Sequence, residues 1–180
     1  MKILPSNSTL LVIDVQEKLL PKIYENQEIM QNVIWAIDLA KTIGIPMLLT
    51  EHCPDKIGTT PAIIREKFEQ TDIVTKTYFS AVREGNLLEH IQKERKQIIV
   101  TGTEAHICVQ QTVLDFLELD YEVFILDSAV GTRNPIDKER ALQRMQQNGA
   151  EIITKDMLAF EWLEKAETEL FKIVLNKFIK

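Results

Sequence analysis

Short apolar runs alternate along the chain with longer stretches of helical periodicity. TLLVID at 9–14 is almost continuously apolar and closes on a polar residue, the pattern of a strand buried on both faces of a parallel sheet. From 26 to 44, Ile29, Val33, Ile37 and Ala40 recur at helical spacing, and Gly44 stands where a helix C′ residue belongs. Pro46 leads into a second strand, MLLT. The loop EHCPDKIGTT follows, then PAIIREKFEQ as a short helix with Pro61 in its first turn, then DIVTKT at 72–77 as a third, weaker strand. GNLLEHIQKER predicts a helix over 85–95, QIIVTG a buried strand over 97–102, and HICVQQTVLDFLELD a helix over 106–120 with Val109, Val113, Phe116 and Leu117 on one face. YEVFILD at 121–127 reads as a strand ending in Asp, 135–150 as a helix from Pro135 to Gly149, EIIT as a last strand, and DMLAFEWLEK and ETELFKIVLNKFIK as C-terminal helices.

Six strands alternating with helices predict an α/β fold: a three-layer α-β-α arrangement around a six-stranded, mostly parallel sheet, formed by one domain over 1–180. In such sheets ligands bind outside the carboxyl ends of the strands. Strand one ends at Asp14, strand three near Lys76, and the strand over 97–102 runs into a helix that carries His106, Ile107 and Cys108 at its start. A carboxylate, an ammonium and a thiol at one sheet edge make the recipe for an activated nucleophile. The first helical turn and the ammonium are expected to lower the thiol pKa, and the carboxylate to take its proton. Each residue also has a plainer reading: Asp14 as a turn or N-cap residue, Lys76 as a solvated lysine, Cys108 as a small buried hydrophobe.

Composition narrows the field. The chain has 180 residues, a hydrophobic fraction of 45% and a charged fraction of 27%, which suit a globular core. The 21 Lys and Arg against 27 Asp and Glu leave a net charge of −6 and no basic cluster, which excludes polyanions: no nucleic acid and no anionic membrane surface as partners. The N-terminal stretch has no signal-peptide pattern, and no apolar run is long enough to span a bilayer. Cys53 and Cys108 are too few for a disulfide framework, so the expectation is a soluble, cytoplasmic protein with free thiols. The chain lacks G-x-S-x-G, a P-loop and C-x-x-C, and no G-x-G-x-x-G follows strand one. His52, His90 and His106 lack metal-ligand spacing, and no metal or other cofactor is expected. The tail carries two adjacent apolar stripes, Leu170, Val174 and Phe178 beside Phe171, Leu175 and Ile179. These would dock on the chain's own body or on another subunit.

LLVIDVQEKLLP, KTYFSA and TGTEAHICVQQTVLDFLELDYEVFILDSAVGTRN together resemble the isochorismatase-like cysteine hydrolases, over nearly the whole chain. TEHCPDKIGTT at 50–60 is similar to a loop of the isochorismatase domain-containing subgroup. The resemblance implies a triad with Asp14 as general base, Lys76 as charge stabiliser and Cys108 as nucleophile. It also implies a cis peptide between Thr103 and Glu104, and an oxyanion hole made of the backbone N–H groups of Glu104 and Cys108. Gln16 and His106 are candidate substrate contacts; a structural role fits Gln16 equally, and simple capping or surface placement fits His106 better. Metal-binding relatives use an Asp and histidines after strand two, and EHCPDKIGTT does not supply them. True isochorismatases cleave a vinyl ether without a cysteine nucleophile, so Cys108 points to acyl chemistry. The expected activity is hydrolysis of a C–N bond in a small-molecule amide through a Cys thioester, by a homo-oligomer (dimer or tetramer). The rival readings are a Cys-independent isochorismatase-type hydrolase and a non-catalytic binding protein.

Overall fold

The computed structural model describes residues 1–84 and 86–180. Its six-stranded sheet comprises β1 (Ser8–Ile13), β2 (Met47–His52), β3 (Ile73–Lys76), β4 (Gln97–Thr103), β5 (Glu122–Gly131) and β6 (Glu151–Ile153), in the order β3-β2-β1-β4-β5-β6. Every ladder is parallel. Parallel strands need both faces covered, which is why β1 and β4 are buried at every position.

The two faces alternate along β1. Leu10 and Val12 join a core with α1 (Asn26–Ile43), α6 (Lys155–Leu163) and α7 (Glu169–Val174). Leu11 and Ile13 join a second core with α4 (Gln110–Glu118), α5 (Pro135–Gln147) and the crossing segment around Ala81, Leu87 and Ile91. The periodic residues of α1 all face inward: Ile29, Val33, Ile37 and Ala40 are buried. Gly44 ends that helix in the left-handed region, φ 88°, as a C-cap glycine should.

The strand order places the functional edge. The chain runs outward from β1 through β2 to β3, then crosses back to lay β4 on the other side of β1. The crevice between the carboxyl ends of β1 and β4 is therefore the topological switch point. The two strands meet closely there. Gly102 pairs with Ile13 at φ 139°, and a Cβ at Gly102 would lie 2.1 Å from the Ile13 carbonyl oxygen. Glycine at 102 thus lets β4 deliver the chain beside Asp14.

Three elements differ from the sequence pattern. The helix expected over 85–95 is a single 3₁₀ turn, Leu87–His90, and Gly85 at its start lies outside the described residues. Among the described residues of that segment Leu87 and Ile91 alone are buried, too few anchors to hold a helix against the sheet. The helix expected over 61–70 shrinks to α3 (Ala62–Arg65), preceded by a one-turn helix α2 (Pro54–Ile57), for the same reason: Ile64 and Phe68 alone are buried there. Strand β5 continues past Asp127 to Gly131. Its pairing with β4 shifts register between Val100 and Gly102, so Asp127 lies within the strand and pairs with Lys138 at 3.1 Å.

The tail docks on its own chain. Val174 is fully buried, and Leu170, Phe171, Phe178 and Ile179 pack on the α1 core. The Trp35 indole N–H donates to the Phe178 carbonyl at 3.1 Å, and the two rings meet edge to face. Among the described residues no helix is long and apolar enough to cross a membrane.

Candidate active site

Asp14, Lys76 and Cys108 converge at the switch point. All three are buried, at 0%, 2% and 5% exposure. Lys76 donates through Nζ to Asp14 Oδ2 at 2.6 Å, and the Thr50 hydroxyl donates to Asp14 Oδ1 at 2.7 Å. Both carboxylate oxygens are thereby held in place. The ammonium also donates to the Phe79 and Tyr78 carbonyls, at 3.0 and 3.2 Å, and stands 3.5 Å from His52 Nδ1. Bonds of this kind allow an ion pair to sit in a buried place, because the donors left over by the carboxylate find acceptors.

The residues reach these positions through strained turns. Asp14, Cys53 and Glu104 directly follow β1, β2 and β4, and each is a non-glycine residue in the left-handed region, with φ of 51°, 39° and 55°. Such residues each cost about 1–3 kcal/mol and concentrate at functional sites. Neighbouring contacts hold the turns: the Thr103 hydroxyl donates to the Asp14 carbonyl at 2.6 Å, and the Cys53 N–H donates to the Lys76 carbonyl at 2.9 Å. The cis peptide expected between Thr103 and Glu104 is a correction. No cis bond occurs among the described residues, and the left-handed Glu104 turns the chain instead. Cys108 then lies in a wide π-helical turn, Ala105–Val109, that opens into α4. The Thr112 hydroxyl donates to the Cys108 carbonyl at 2.7 Å and accepts from the Ala81 N–H at 3.0 Å, tying the turn to the crossing segment.

The thiol's acidity also departs from expectation. Burial, and then the negative charge and hydrogen bonding of Asp14, push the Cys108 thiol well above the ordinary cysteine value; Lys76 offsets this only in part. Helix-start position and a cation do not outweigh lost solvation and an adjacent carboxylate. These influences favour the protonated thiol form of Cys108 beside Asp14. A stability consequence follows. An acid whose folded pKa lies above its unfolded value favours folding below the unfolded pKa, roughly 8.5 for cysteine, and loses that contribution as pH rises beyond it. Wild type is expected to lose stability above about pH 8.5 more steeply than Cys108→Ala, by up to ~1.4 kcal/mol per pH unit. Urea unfolding of both chains across that range is the check; parallel curves would contradict it.

The isochorismatase domain family matches residues 8–157 of this chain. The chain belongs to the isochorismatase-like hydrolase family. It is 34% identical over 177 residues to isochorismatase family protein 1A of Dictyostelium discoideum, covering 95% of this chain and 85% of that protein. It is 32% identical to the MAR1 ribonuclease structure from Caenorhabditis elegans, with a TM-score of 0.92 over 100% of this chain and 93% of that one. YcaC from Escherichia coli, described as an octameric hydrolase of unknown specificity, shares the fold at 23% identity and a TM-score of 0.90, over 99% of this chain and 91% of that one.

Two further candidates remain, Gln16 and His106. Gln16 is fully buried and its amide is committed. It donates to the His52 and Gly58 carbonyls at 2.9 and 2.6 Å and accepts from the His52 N–H at 2.7 Å. It ties the end of β2 to the loop after α2, which leaves it little to offer a substrate. His106 is partly exposed. Its Nδ1 lies 3.6 Å from Glu104 Oε2, and Arg133 holds Glu104 Oε1 at 3.0 Å and approaches His106 Nε2 at 3.5 Å. No motif marks Arg133 or Thr50 as site residues in the sequence, and His52 stands out there only for lacking metal-ligand spacing. Thr50 had a signal: its register partner in the parallel ladder is Ile13, the residue before Asp14. Cys53, whose N–H meets the Lys76 carbonyl, lines a groove of about 490 Å³ together with Lys56, Lys76, Thr77 and Glu84. Among the described residues no group of three or more His, Cys, Asp or Glu side chains is arranged to hold a metal ion.

Proposed function

We propose that this chain, as a single isochorismatase-like domain over 1–180, hydrolyses a C–N bond of a small amide through a thioester on Cys108. The observation that carries this reading is the clamped carboxylate: Asp14 is fixed by Lys76 and Thr50 inside the site and raises the acidity cost of the Cys108 thiol beside it. A base held against a protonated nucleophile suits transfer of the proton in step with attack.

In the proposed sequence Asp14 takes the thiol proton as Cys108 Sγ bonds to the substrate carbonyl carbon. Lys76 stays paired with Asp14 and steadies the charge as it shifts. The developing oxyanion is received by the backbone N–H groups of Glu104 and Cys108. Asp14 returns the proton to the nitrogen as the C–N bond breaks, and the amine departs. Water then gives a proton to Asp14 and attacks the thioester. The carboxylic acid leaves, and the proton returns to sulfur. His106, with Arg133 and Glu104, would line the mouth of the site.

The name of the Caenorhabditis elegans relative speaks of RNA cleavage. The net charge of −6 argues against a polyanionic substrate here. A homo-oligomer belongs to the same proposal, supported by large apolar side chains left exposed, among them Tyr24, Ile63, Tyr78 and Phe79. A cytoplasmic setting suits two unpaired cysteines. The test is a panel of small carboxamides and chorismate-type vinyl ethers, read by ammonia or amine release and by enol-ether cleavage. Amine release from a carboxamide is the expected result. Cleavage of vinyl ethers alone would favour a Cys-independent isochorismatase, and no product from either class would favour a binding protein.

A further inference from the structure

His52 occupies a place that the reaction sequence above does not use. Ladder register sets it directly beside Lys76 across β2 and β3. Its Nδ1 is 3.5 Å from Lys76 Nζ, and its ring stacks on Phe79 at 5.4 Å between centroids with 26° between planes. Phe79 in turn supplies a carbonyl that accepts from the same ammonium at 3.0 Å. Gln16 grips the His52 backbone from both sides, through its N–H and its carbonyl. The imidazole is thus held against two parts of one cage: the ammonium itself and the loop that provides the ammonium's acceptors.

An ammonium can only donate. For Nδ1 to face it favourably, the ring must be neutral and carry its proton on Nε2. Protonating the ring would set a second cation against Lys76. The charged groups on the segments around His52 are Asp14 and Glu17 after β1, Asp55 and Lys56 in α2, Lys76 on β3, and Glu84 in the following loop. The polar contact its ring makes is to Lys76. Glu84 acts on the loop backbone, accepting from the Thr77 and Tyr78 N–H groups at 2.9 and 3.0 Å.

We propose that His52 is a positioning residue for Lys76: as a neutral, Nε2-protonated ring it sets a fourth, longer acceptor beside an ammonium already bonded to Asp14, Tyr78 and Phe79 and, through its stack on Phe79, keeps the loop carbonyls on that ammonium. The role rests on the proposed triad, because it acts through Lys76 on Asp14. Protonation of His52 weakens the cage, so Cys108 acylation falls on the acid side.

The test uses p-nitrophenyl acetate as acyl donor, with acetyl transfer mapped to Cys108 by peptide mass and timed by nitrophenolate release. Wild type, His52→Asn, His52→Leu and Asp14→Asn are compared across pH. His52→Asn keeps an acceptor where Nδ1 stood and does not titrate; His52→Leu keeps neither acceptor nor ring. The expected results are a loss of about fivefold in His52→Leu, since a long contact to a charged group is worth on the order of 1 kcal/mol, and a rate near wild type in His52→Asn. The acid-side fall should be diminished in His52→Asn, although His90 and His106 remain. Wild-type rates and an unchanged pH profile in both His52 variants, with Asp14→Asn slowed, would overturn this role and leave the triad standing. Equal slowing of both His52 variants with an unshifted pH profile would reduce His52 to a structural part and equally overturn it. Absence of acetyl-Cys108 in wild type would remove the triad reading and this role together.

Discussion

Cys108→Ala is expected to lower amide turnover by about 10³-fold or more while leaving the fold intact. In the proposed mechanism the Cys108 thiol is the nucleophile beside the buried Asp14–Lys76 pair, so its removal would leave that pair only water to activate. Its structural contribution is small by comparison. Cys108 packs as a minor member of the core beside Val109 and Val113, and deleting one sulfur from such a site costs about 1 kcal/mol, set against relief of the poorly solvated thiol. Turnover and unfolding midpoint measured on the same preparations separate the two effects. A Cys108→Ala chain that turns over amide at the wild-type rate would mean that Asp14 activates water directly. The thioester route would then be wrong.

Lys76→Met is expected to cost about 3–5 kcal/mol of folding stability, as well as activity. Methionine roughly matches the lysine stem in volume, so the loss comes from charge rather than packing. Without the ammonium, Asp14 loses its counter-charge and keeps neutral partners, the Thr50 hydroxyl on Oδ1 and the Cys108 thiol, and the Tyr78 and Phe79 carbonyls lose their shared donor. A carboxylate with no exposure and no counter-charge then either stays ionised at high cost or takes up a proton. Adding Asp14→Asn to Lys76→Met should recover a large part of the stability, because a neutral pair replaces an orphaned charge. That non-additivity is the signature of a coupled pair. Urea unfolding of the single and double variants gives the coupling directly. A single-variant cost below about 1 kcal/mol would show that the pair is solvated more than its burial implies.

Much of this arrangement was written in local pattern. The apolar runs mark every strand because a parallel sheet covered on both faces tolerates little else, and the last residues of those runs are the ones presented at the sheet edge. Asp14 and Lys76 were legible for that reason, and Cys108 by its place at a helix start after β4. What local pattern could not carry is the balance of solvation. The helix start and Lys76 suggested an acidic thiol, but burial and the facing Asp14 act the other way, and both depend on how distant segments pack. The same limit explains the segment over 85–95: its polar-rich composition permits a helix, while the surface it crosses anchors only Leu87 and Ile91. The tail's two stripes offered two partners, and the choice was decided by Trp35, about 140 residues earlier, whose indole reaches the Phe178 carbonyl. The places of Arg133 and His52 are not legible in local pattern because they depend on spatial neighbours: Glu104 and His106 for the one, Lys76 and Phe79 for the other.

The central claim is that Cys108, deprotonated by Asp14, becomes acylated. It is tested most directly by intact-protein and peptide mass spectrometry after brief exposure to p-nitrophenyl acetate and acid quench. The account predicts one acetyl group on Cys108, absent in Cys108→Ala and strongly reduced in Asp14→Asn, with Cys53 unmodified. Acetylation confined to Cys53, or equal at Cys108 with and without Asp14, would contradict it.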